Sequence, residues 1–114
     1  MKYFDEIKKS MDWLNTKSDT LFLGQAVEYD GTAMTRTLRD VDASKKLEMP
    51  VNEEMQTGIT LGMALNGTVP ISIYPRWNFL LLGANQLVNH IDKIKIMSSG
   101  GYTPKIIIRT SIGS

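Results

Sequence analysis

The sequence predicts an α/β domain in which helices cover both faces of a parallel sheet, and three observations lead to this prediction. Short, continuously apolar runs alternate along the chain with helical patterns, as in parallel crossover units. These runs lack the polar alternation of strands with one wet face, so we expect both faces of the sheet to be covered. The length of 114 residues allows one domain at most.

The amino-terminal elements are a helix, a strand and a long polar connection. Apolar residues at helical spacing predict an amphipathic helix over residues 3–14. The apolar run 20–23, which ends at Gly24, predicts a buried strand. Residues 24–50 are polar, and we expect a loop with one short helix at about 33–38. A connection of this length typically carries a function.

A second helix is specified at both ends. Asn52 is expected to cap a helix that runs from Glu53 to about Asn66, with acidic residues in the first turn, where the helix dipole favours them. Gly67 follows the last predicted residue, as is common after helices.

The carboxyl-terminal third continues the alternation with a strand at 69–74, a long helix at about 78–97 and a last strand at 105–109. The last strand is so apolar that we expect it to be central in the sheet, yet the sequence stops shortly after it. The domain therefore looks incomplete at its carboxyl end, and residues 1–114 are interpreted as part of a longer domain.

Composition argues against several functional classes. The chain has 13 Lys and Arg against 12 Asp and Glu, so it has no net field for nucleic acid or an acidic membrane. The absence of cysteine and a single histidine, His90, argue against zinc sites and cysteine nucleophiles. The longest apolar run, 79–84, is too short to span a membrane, and residues 1–12 do not resemble a signal peptide. We therefore expect a cytoplasmic protein that binds neither nucleic acid nor membrane.

The most informative pattern lies in residues 50–63. Gly58 and Gly62 lie on one face of the predicted helix, where each glycine costs up to about 1 kcal/mol relative to alanine. Close approach of another backbone, across an interface, would compensate for this cost. Glu53 lies in the first helical turn, where its carboxylate either points toward a ligand or only interacts with the helix dipole.

These residues resemble a known signature. Glu53, Gly58 and Gly62, with apolar Ile59 and Met63, match in spacing and class the pyrimidine-binding domain of thiamine-diphosphate enzymes. The chain also resembles, in order and spacing, the beta subunit of the decarboxylating component of 2-oxo-acid dehydrogenase complexes, in segments 22–24, 29–31, 49–53, 66–71, 86–89, 93, 97–101 and 107–110. The similarity covers essentially the whole chain but only about the first third of such a subunit.

The resemblance implies a thiamine-diphosphate site at a subunit interface. This chain would supply the aminopyrimidine side: Glu53 would hydrogen-bond the ring nitrogen and so promote loss of the thiazolium proton, and Phe79 would stack on the ring. The activated cofactor would decarboxylate a 2-oxo acid, and the acyl group would pass to lipoamide. An alpha-type subunit would hold the diphosphate and Mg²⁺, so no metal ligand is expected in this chain. A second beta-type subunit, in a heterotetramer, and a lipoyl acyltransferase component are further expected partners.

The sequence departs from the family pattern in two places. The family has an acidic pair directly after the glycine of the first strand, whereas Gln25 and Ala26 follow Gly24 here. Relatives often have a glycine and an aromatic residue where Met55 and Gln56 stand.

Other interpretations of the same pattern stay open. One alternative is a transketolase-like or acyloin-forming enzyme that uses the same glutamate, and another is a non-catalytic interaction module that keeps the glycine-faced helix. Phe79 is alternatively a core residue, and Trp77 is a weaker stacking candidate. His90 matches no catalytic position, so we expect it to be a surface or packing residue.

Overall fold

A four-stranded parallel sheet is the framework of the structure, a computed structural model that describes residues 2–113. The strands are β1 (Thr20–Gly24), β2 (Lys46–Glu48), β3 (Val69–Tyr74) and β4 (Ile107–Thr110). The helices are α1 (Tyr3–Asn15), α2 (Ala33–Arg36), α3 (Glu53–Leu65), α4 (Trp77–Leu80), α5 (Ala84–Gln86) and α6 (Ile94–Met97). A 3₁₀ turn (Ala43–Lys45) precedes β2, another (Leu81–Gly83) precedes α5, and a π-helical turn (Leu87–Ile91) follows α5.

The strand order is β2-β1-β3-β4, and every neighbouring pair is parallel. Phe22 of β1 pairs with Ile71 of β3, and Ile73 of β3 pairs with Arg109 of β4. Because all strands run in one direction, their carboxyl ends meet at one edge of the sheet. We call this the carboxyl edge; ligands of open α/β sheets bind at this edge.

Helices cover opposite faces of the sheet. On one face, Ile71 and Ile73 pack in an apolar core with Phe22 and with Met11 of α1. Ser72 and Tyr74 alternate with these isoleucines and therefore point to the other face, where α3 packs. The predicted α/β class, with a parallel sheet and helices around it, is confirmed.

The local signals at α3 are confirmed. The Asn52 side chain accepts a hydrogen bond from the Met55 nitrogen at 3.0 Å and caps the helix. Gly67 has a φ of +95°, a left-handed conformation that side chains rarely adopt. The predicted amino-terminal helix is present as α1, and the strands predicted at 20–23 and 69–74 are present as β1 and β3.

The long helix predicted at 78–97 is present as an irregular helical segment rather than as one regular α-helix. The segment is divided into three short α-helices with a 3₁₀ turn and a π-helical turn between them. Gly83, at φ −97° and ψ 5°, leaves the helical conformation and packs against α3. This tertiary contact lies where the 3₁₀ turn passes into α5, so it accompanies a change in helical geometry at a segment whose apolar spacing favours a regular helix.

Two strands differ from the prediction. β2 lies in the connection that we expected to be loop and short helix; it is a three-residue edge strand with a largely polar sequence. β4 begins at Ile107 rather than at 105 and occupies an edge of the sheet within residues 2–113, whereas the sequence led us to expect a central strand. Its residues are only half-buried.

No helix within residues 2–113 combines the length and the apolar character needed to cross a lipid bilayer.

Candidate functional site

Glu53 is the one carboxylate buried at the start of α3. The residue is 5% exposed, and its Oε1 atom lies 3.5 Å from Nε2 of Gln25, which directly follows β1. This distance exceeds the usual 2.7–3.2 Å range, so the hydrogen bond is weak. It is the only hydrogen bond that the described residues give to the Glu53 carboxylate. Since a buried carboxylate needs strong donors, the site has unused capacity to accept one from a ligand.

Gln25 is oriented by the end of β1. The Gln25 main-chain nitrogen donates to the Ile73 carbonyl at 3.2 Å. Gly24 has a φ of +139°, and a Cβ at this position would lie 2.0 Å from the Ile73 oxygen. Only glycine therefore allows β1 to end here with the Gln25 side chain directed toward α3.

The residues after Gln25 are held by a carboxylate from β2. Glu48 accepts hydrogen bonds from the nitrogens of Ala26, Val27 and Glu28 at 2.9, 2.8 and 3.1 Å. Ala26 has a φ of 59°, so successive N–H groups converge on one anion in a backbone nest. The side chain of β2 thus fixes the loop beside Glu53.

A layer of polar side chains joins α3 to β3. The layer, which we call the polar seam, consists of fully buried Gln56, Thr57, Thr60, Ser72 and Tyr74. Thr57 donates to the Glu53 carbonyl at 2.6 Å, and the Tyr74 hydroxyl lies 2.5 Å from that of Thr57.

The rest of the polar seam is equally well connected. Thr60 lies 2.8 Å from the Gln56 carbonyl and 2.9 Å from the Ser72 hydroxyl. The Gln56 amide donates to Ser72 and to the Ile73 carbonyl at 3.1 and 3.0 Å. The first turn of α3 is therefore tied to the last residues of β3 by hydrogen bonds rather than by apolar contact.

Phe79 lies in α4, the short helix that follows β3 at the carboxyl edge. The Phe79 ring is half-buried, and the Arg76 guanidinium lies 5.9 Å from its centroid, within cation–π range. The core position of this helix is Leu80, which is 6% exposed. Trp77 is 52% exposed and lines a cleft of about 520 Å³ with residues 75–78 and 111–113.

The two predicted interface glycines differ in their surroundings. Gly62 is exposed, and an added Cβ would meet no atom within 4 Å in the described chain. An added Cβ at Gly58 would make ordinary contact with Gln86, at 3.6 Å. Exposed Met55 and Ile59 share this region of α3. The described residues therefore leave α3 uncovered at Gly62 but not at Gly58, and the role of the two glycines at an interface stays a prediction.

Gly83 makes the close approach that we expected of the helix glycines. An added Cβ would lie 2.4 Å from the Thr57 hydroxyl oxygen and 3.3 Å from the Glu53 carbonyl oxygen. No pattern in the sequence predicts this contact, because Gly83 lies within an apolar helical pattern. The first turn of α3 thus contacts both the Tyr74 side chain and the Gly83 backbone.

Arg109 is a second residue that sequence reasoning missed. Burial lowers the pKa of its guanidinium, although nearby Tyr3 opposes this shift, and Nη1 has no hydrogen-bond partner among residues 2–113. The available signal was a cation directly after three isoleucines in a strand.

Three or more acidic or histidine side chains do not converge as a metal site within residues 2–113. His90 is exposed, with Nδ1 at 2.6 Å from Gln86.

Comparisons with known proteins bear on the resemblance. No protein-family model matches the chain. The chain is 28% identical over 114 residues to the mitochondrial pyruvate dehydrogenase E1 component subunit beta of Drosophila melanogaster. This alignment covers 96% of this chain and 31% of the fly protein. It is 29% identical over 111 residues to the corresponding subunit of Porphyra purpurea, an alignment that covers 93% of this chain and 33% of that protein. It is 26% identical over 104 residues to the subunit of Rhizobium meliloti, which covers 89% of this chain and 23% of that protein.

The resemblance to beta subunits of a 2-oxo-acid dehydrogenase is thereby confirmed. The chain spans about a third of the length of the first two relatives.

Proposed function

We propose that this chain is part of the beta-type subunit of a thiamine-diphosphate-dependent 2-oxo-acid dehydrogenase, and that it contributes the aminopyrimidine side of the cofactor site. The observation that carries the proposal is the Glu53 carboxylate, which is 5% exposed and receives one hydrogen bond of 3.5 Å. Similarity to pyruvate dehydrogenase beta subunits along the chain supports the same assignment.

The residues present fit an aminopyrimidine. This group is a flat ring with hydrogen-bonding nitrogens, so it requires a carboxylate at its edge and an apolar surface against its face. Glu53 offers the carboxylate, and Phe79, half-buried at the same edge of the sheet, offers the aromatic surface. When bound, thiamine diphosphate supplies the electron sink for decarboxylation of a 2-oxo acid.

Glu53 would hold and transfer a proton at the pyrimidine nitrogen. Its burial excludes water, so a hydrogen bond from its carboxylate to a ligand is stronger than it would be at the surface. The Gln25 amide would keep the carboxylate directed toward the carboxyl edge, since it donates to Oε1. Phe79 would set the plane of the ring by stacking, which contributes about 1 kcal/mol.

The proposal includes partners that complete the site. An alpha-type subunit would hold the diphosphate and its Mg²⁺, a second beta-type subunit would complete a heterotetramer, and a lipoyl acyltransferase component would accept the acyl group. The uncovered face of α3 at Gly62 supports a subunit interface at this helix.

The proposal is tested by Glu53→Gln in the full-length chain assembled with its alpha-type partner. Calorimetry measures thiamine-diphosphate binding, and NMR measures exchange of the thiazolium proton. We expect binding to be retained and proton exchange to slow by about 10²- to 10⁴-fold, because the amide cannot transfer the proton.

Glu54→Gln is the matched control. Glu54 Oε1 accepts hydrogen bonds from Asn85 and Gln86 at 2.7 and 2.9 Å, and a glutamine keeps an oxygen that accepts both. Its exchange rate should stay near that of the parent. Equal rates in the parent and Glu53→Gln would contradict the assigned role of Glu53, and a parent complex that binds no cofactor would instead indicate a non-catalytic interaction module.

A further inference from the structure

A directed hydrogen-bond path leads from β3 to Glu53. The Glu53 carbonyl cannot donate, so the single proton of the Thr57 hydroxyl is committed to it, at 2.6 Å. The Tyr74 hydroxyl must therefore donate to Thr57, at 2.5 Å. The path runs in one direction, from Tyr74 through Thr57 to the main chain of Glu53.

The path joins a buried interior strand of the sheet to the residue proposed to meet the cofactor. Tyr74 is the last residue of β3, an interior strand of the sheet, and it is 0% exposed. Thr57 lies one turn after Glu53 on α3. A threonine that bonds back to the carbonyl four residues earlier tilts that carbonyl and bends the helix, so it affects the direction of the first turn.

Packing alone does not account for this arrangement. Apolar side chains would hold α3 on the sheet without removing hydroxyl and amide groups from water, and Gln56 Oε1 is buried without a hydrogen-bond partner among residues 2–113. The hydrogen bonds among Thr57, Thr60, Ser72 and Tyr74 are directional, so they restrict the arrangement of these residues more than apolar contacts would.

We propose that Tyr74 is a positioning residue for Glu53. Its hydroxyl acts through Thr57 to set the orientation of the first turn of α3 and hence the direction of the Glu53 carboxylate. The inference rests on the proposed function of Glu53. A displacement of about 1 Å at a reacting group can slow a reaction by about 10²-fold, so loss of this path should be measurable.

The test uses the full-length chain assembled with its partner and compares variants that keep either the shape or the hydroxyl. Tyr74→Phe removes the hydroxyl of Tyr74, and Thr57→Val removes that of Thr57 at nearly constant shape, whereas Thr57→Ser keeps it. We expect Tyr74→Phe and Thr57→Val to slow thiazolium proton exchange by about 10- to 100-fold while thiamine-diphosphate affinity changes little. Thr57→Ser should remain close to the parent.

A second readout needs no cofactor. Amide hydrogen exchange followed by mass spectrometry reports the opening of the first turn of α3 in the cofactor-free protein. Peptides that cover residues 53–57 should exchange faster in Tyr74→Phe and Thr57→Val than in the parent and in Thr57→Ser.

Thr60→Val is the matched control for stability. Thr60 is as deeply buried as Thr57 and belongs to the same polar seam, but it bonds Gln56 and Ser72 rather than Glu53. It reaches Tyr74 only through Ser72, whose hydroxyl lies 3.3 Å from that of Tyr74. Thr60→Val should lower the melting temperature about as much as Thr57→Val does and should leave thiazolium proton exchange unchanged. If Thr60→Val slows that exchange as much as Thr57→Val, or if Thr57→Ser does, the seam only holds the helix on the sheet and the inference is overturned.

Glu53→Gln in the same series separates the two proposals. If Glu53→Gln slows exchange while Tyr74→Phe and Thr57→Val match the parent in both readouts, the positioning role is wrong and the proposed function stands. If Glu53→Gln has no effect, the proposed function fails, and with it the role of Tyr74 toward the cofactor.

Discussion

The Glu48 carboxylate lies 2.8 Å from the main-chain nitrogen of Val27, across the exit of β1. The same carboxylate also bonds the nitrogens of Ala26 and Glu28, so a side chain from an edge strand fixes the loop that begins with Gln25. This loop orients the amide beside Glu53, and β2 therefore contributes to the site without reaching it.

Glu48→Ala should lower the free energy of unfolding by about 2–3 kcal/mol, because it leaves three N–H groups without their charged acceptor. Glu48→Gln should fall between this variant and the parent, since one acceptor oxygen remains. Urea denaturation measures both effects. Glu28→Gln, at an exposed side chain of the same loop, is the control and should change stability by less than about 0.5 kcal/mol.

Lys45→Met should lower the free energy of unfolding by about 1–3 kcal/mol. The Lys45 ammonium donates to the carbonyls of Asn15 and Lys17 at 2.8 and 2.5 Å and to the Thr20 hydroxyl at 2.8 Å. It thereby caps the carboxyl end of α1 with a positive charge, which the helix dipole favours. Chemical denaturation is the measurement, and Lys46→Met, one residue along, should be clearly milder.

Gly83→Ala should destabilise the fold by about 1–3 kcal/mol through overpacking, because the new Cβ would lie 2.4 Å from the Thr57 hydroxyl oxygen. Combination with Thr57→Ala removes that oxygen, and the nearest remaining atom is the Glu53 carbonyl oxygen at 3.3 Å. The double variant should therefore be more stable than the sum of the two single effects predicts. Strict additivity in a double-mutant cycle would show that the two residues do not collide.

Gly62→Leu should fold normally and fail to assemble. An added Cβ meets no atom within 4 Å in the described chain, and leucine favours a helix over glycine by up to about 1 kcal/mol. Analytical ultracentrifugation of the full-length chain with the proposed alpha-type partner measures assembly, with Gly62→Ala as the conservative comparison. Assembly of Gly62→Leu at parental affinity would show that the glycine does not serve an interface.

The ion pair between Lys8 and Asp40 predicts a pH dependence of stability. The hydrogen bond from Lys8 lowers the pKa of Asp40 below its ordinary 3.8, and hydrogen bonds from Lys8 to Asp12 and then to Asp40 raise the pKa of Lys8 above 10.5. The Asp40 contribution is therefore present above pH 3.8 and lost as the pH falls through the lowered pKa. The Lys8 contribution is present below pH 10.5 and lost as the pH rises through the raised pKa.

Asp40→Asn should consequently be less stable than the parent at pH 7 and equal to it in strong acid, where both lack the charge. High salt should reduce the difference at pH 7, because Asp40 is exposed. Urea denaturation at the two pH values measures this. Asp30→Asn, in an exposed loop, is the control; a difference for Asp40→Asn that persists in acid would rule out the ion pair as its cause.

Those parts of the fold that depend on local signals could be predicted from the sequence. The Asn52 cap and Gly67 determine the ends of α3, so its predicted bounds differ from the observed ones by one residue. The helix expected at 78–97 is irregular rather than continuous α-helix, and its 3₁₀ turn ends at Gly83, which packs against Thr57, a residue 26 positions earlier; no local pattern records such a contact. β2 was missed because three largely polar residues carry no apolar run.

The candidate site divides in the same way. The position of Glu53 in the first turn of α3 follows from the spacing of its motif, and its burial agrees with a ligand-directed role. The hydroxyl path from Tyr74 depends on the register of β3 beneath α3, which only the folded chain defines. Individual threonines in a helix and a tyrosine at a strand end have no distinctive pattern, so this path could not be predicted.

The polar seam also constrains how this sequence can diverge. Loss of either hydroxyl alone removes the 2.5 Å hydrogen bond between Tyr74 and Thr57, and without Thr57 the buried Tyr74 hydroxyl keeps only the longer 3.3 Å contact with Ser72. Substitutions should therefore arise in pairs: a relative with phenylalanine at position 74 should carry an apolar residue at position 57. Sequences that retain both hydroxyls would form a separate lineage, recognisable by coupled replacement of these two positions.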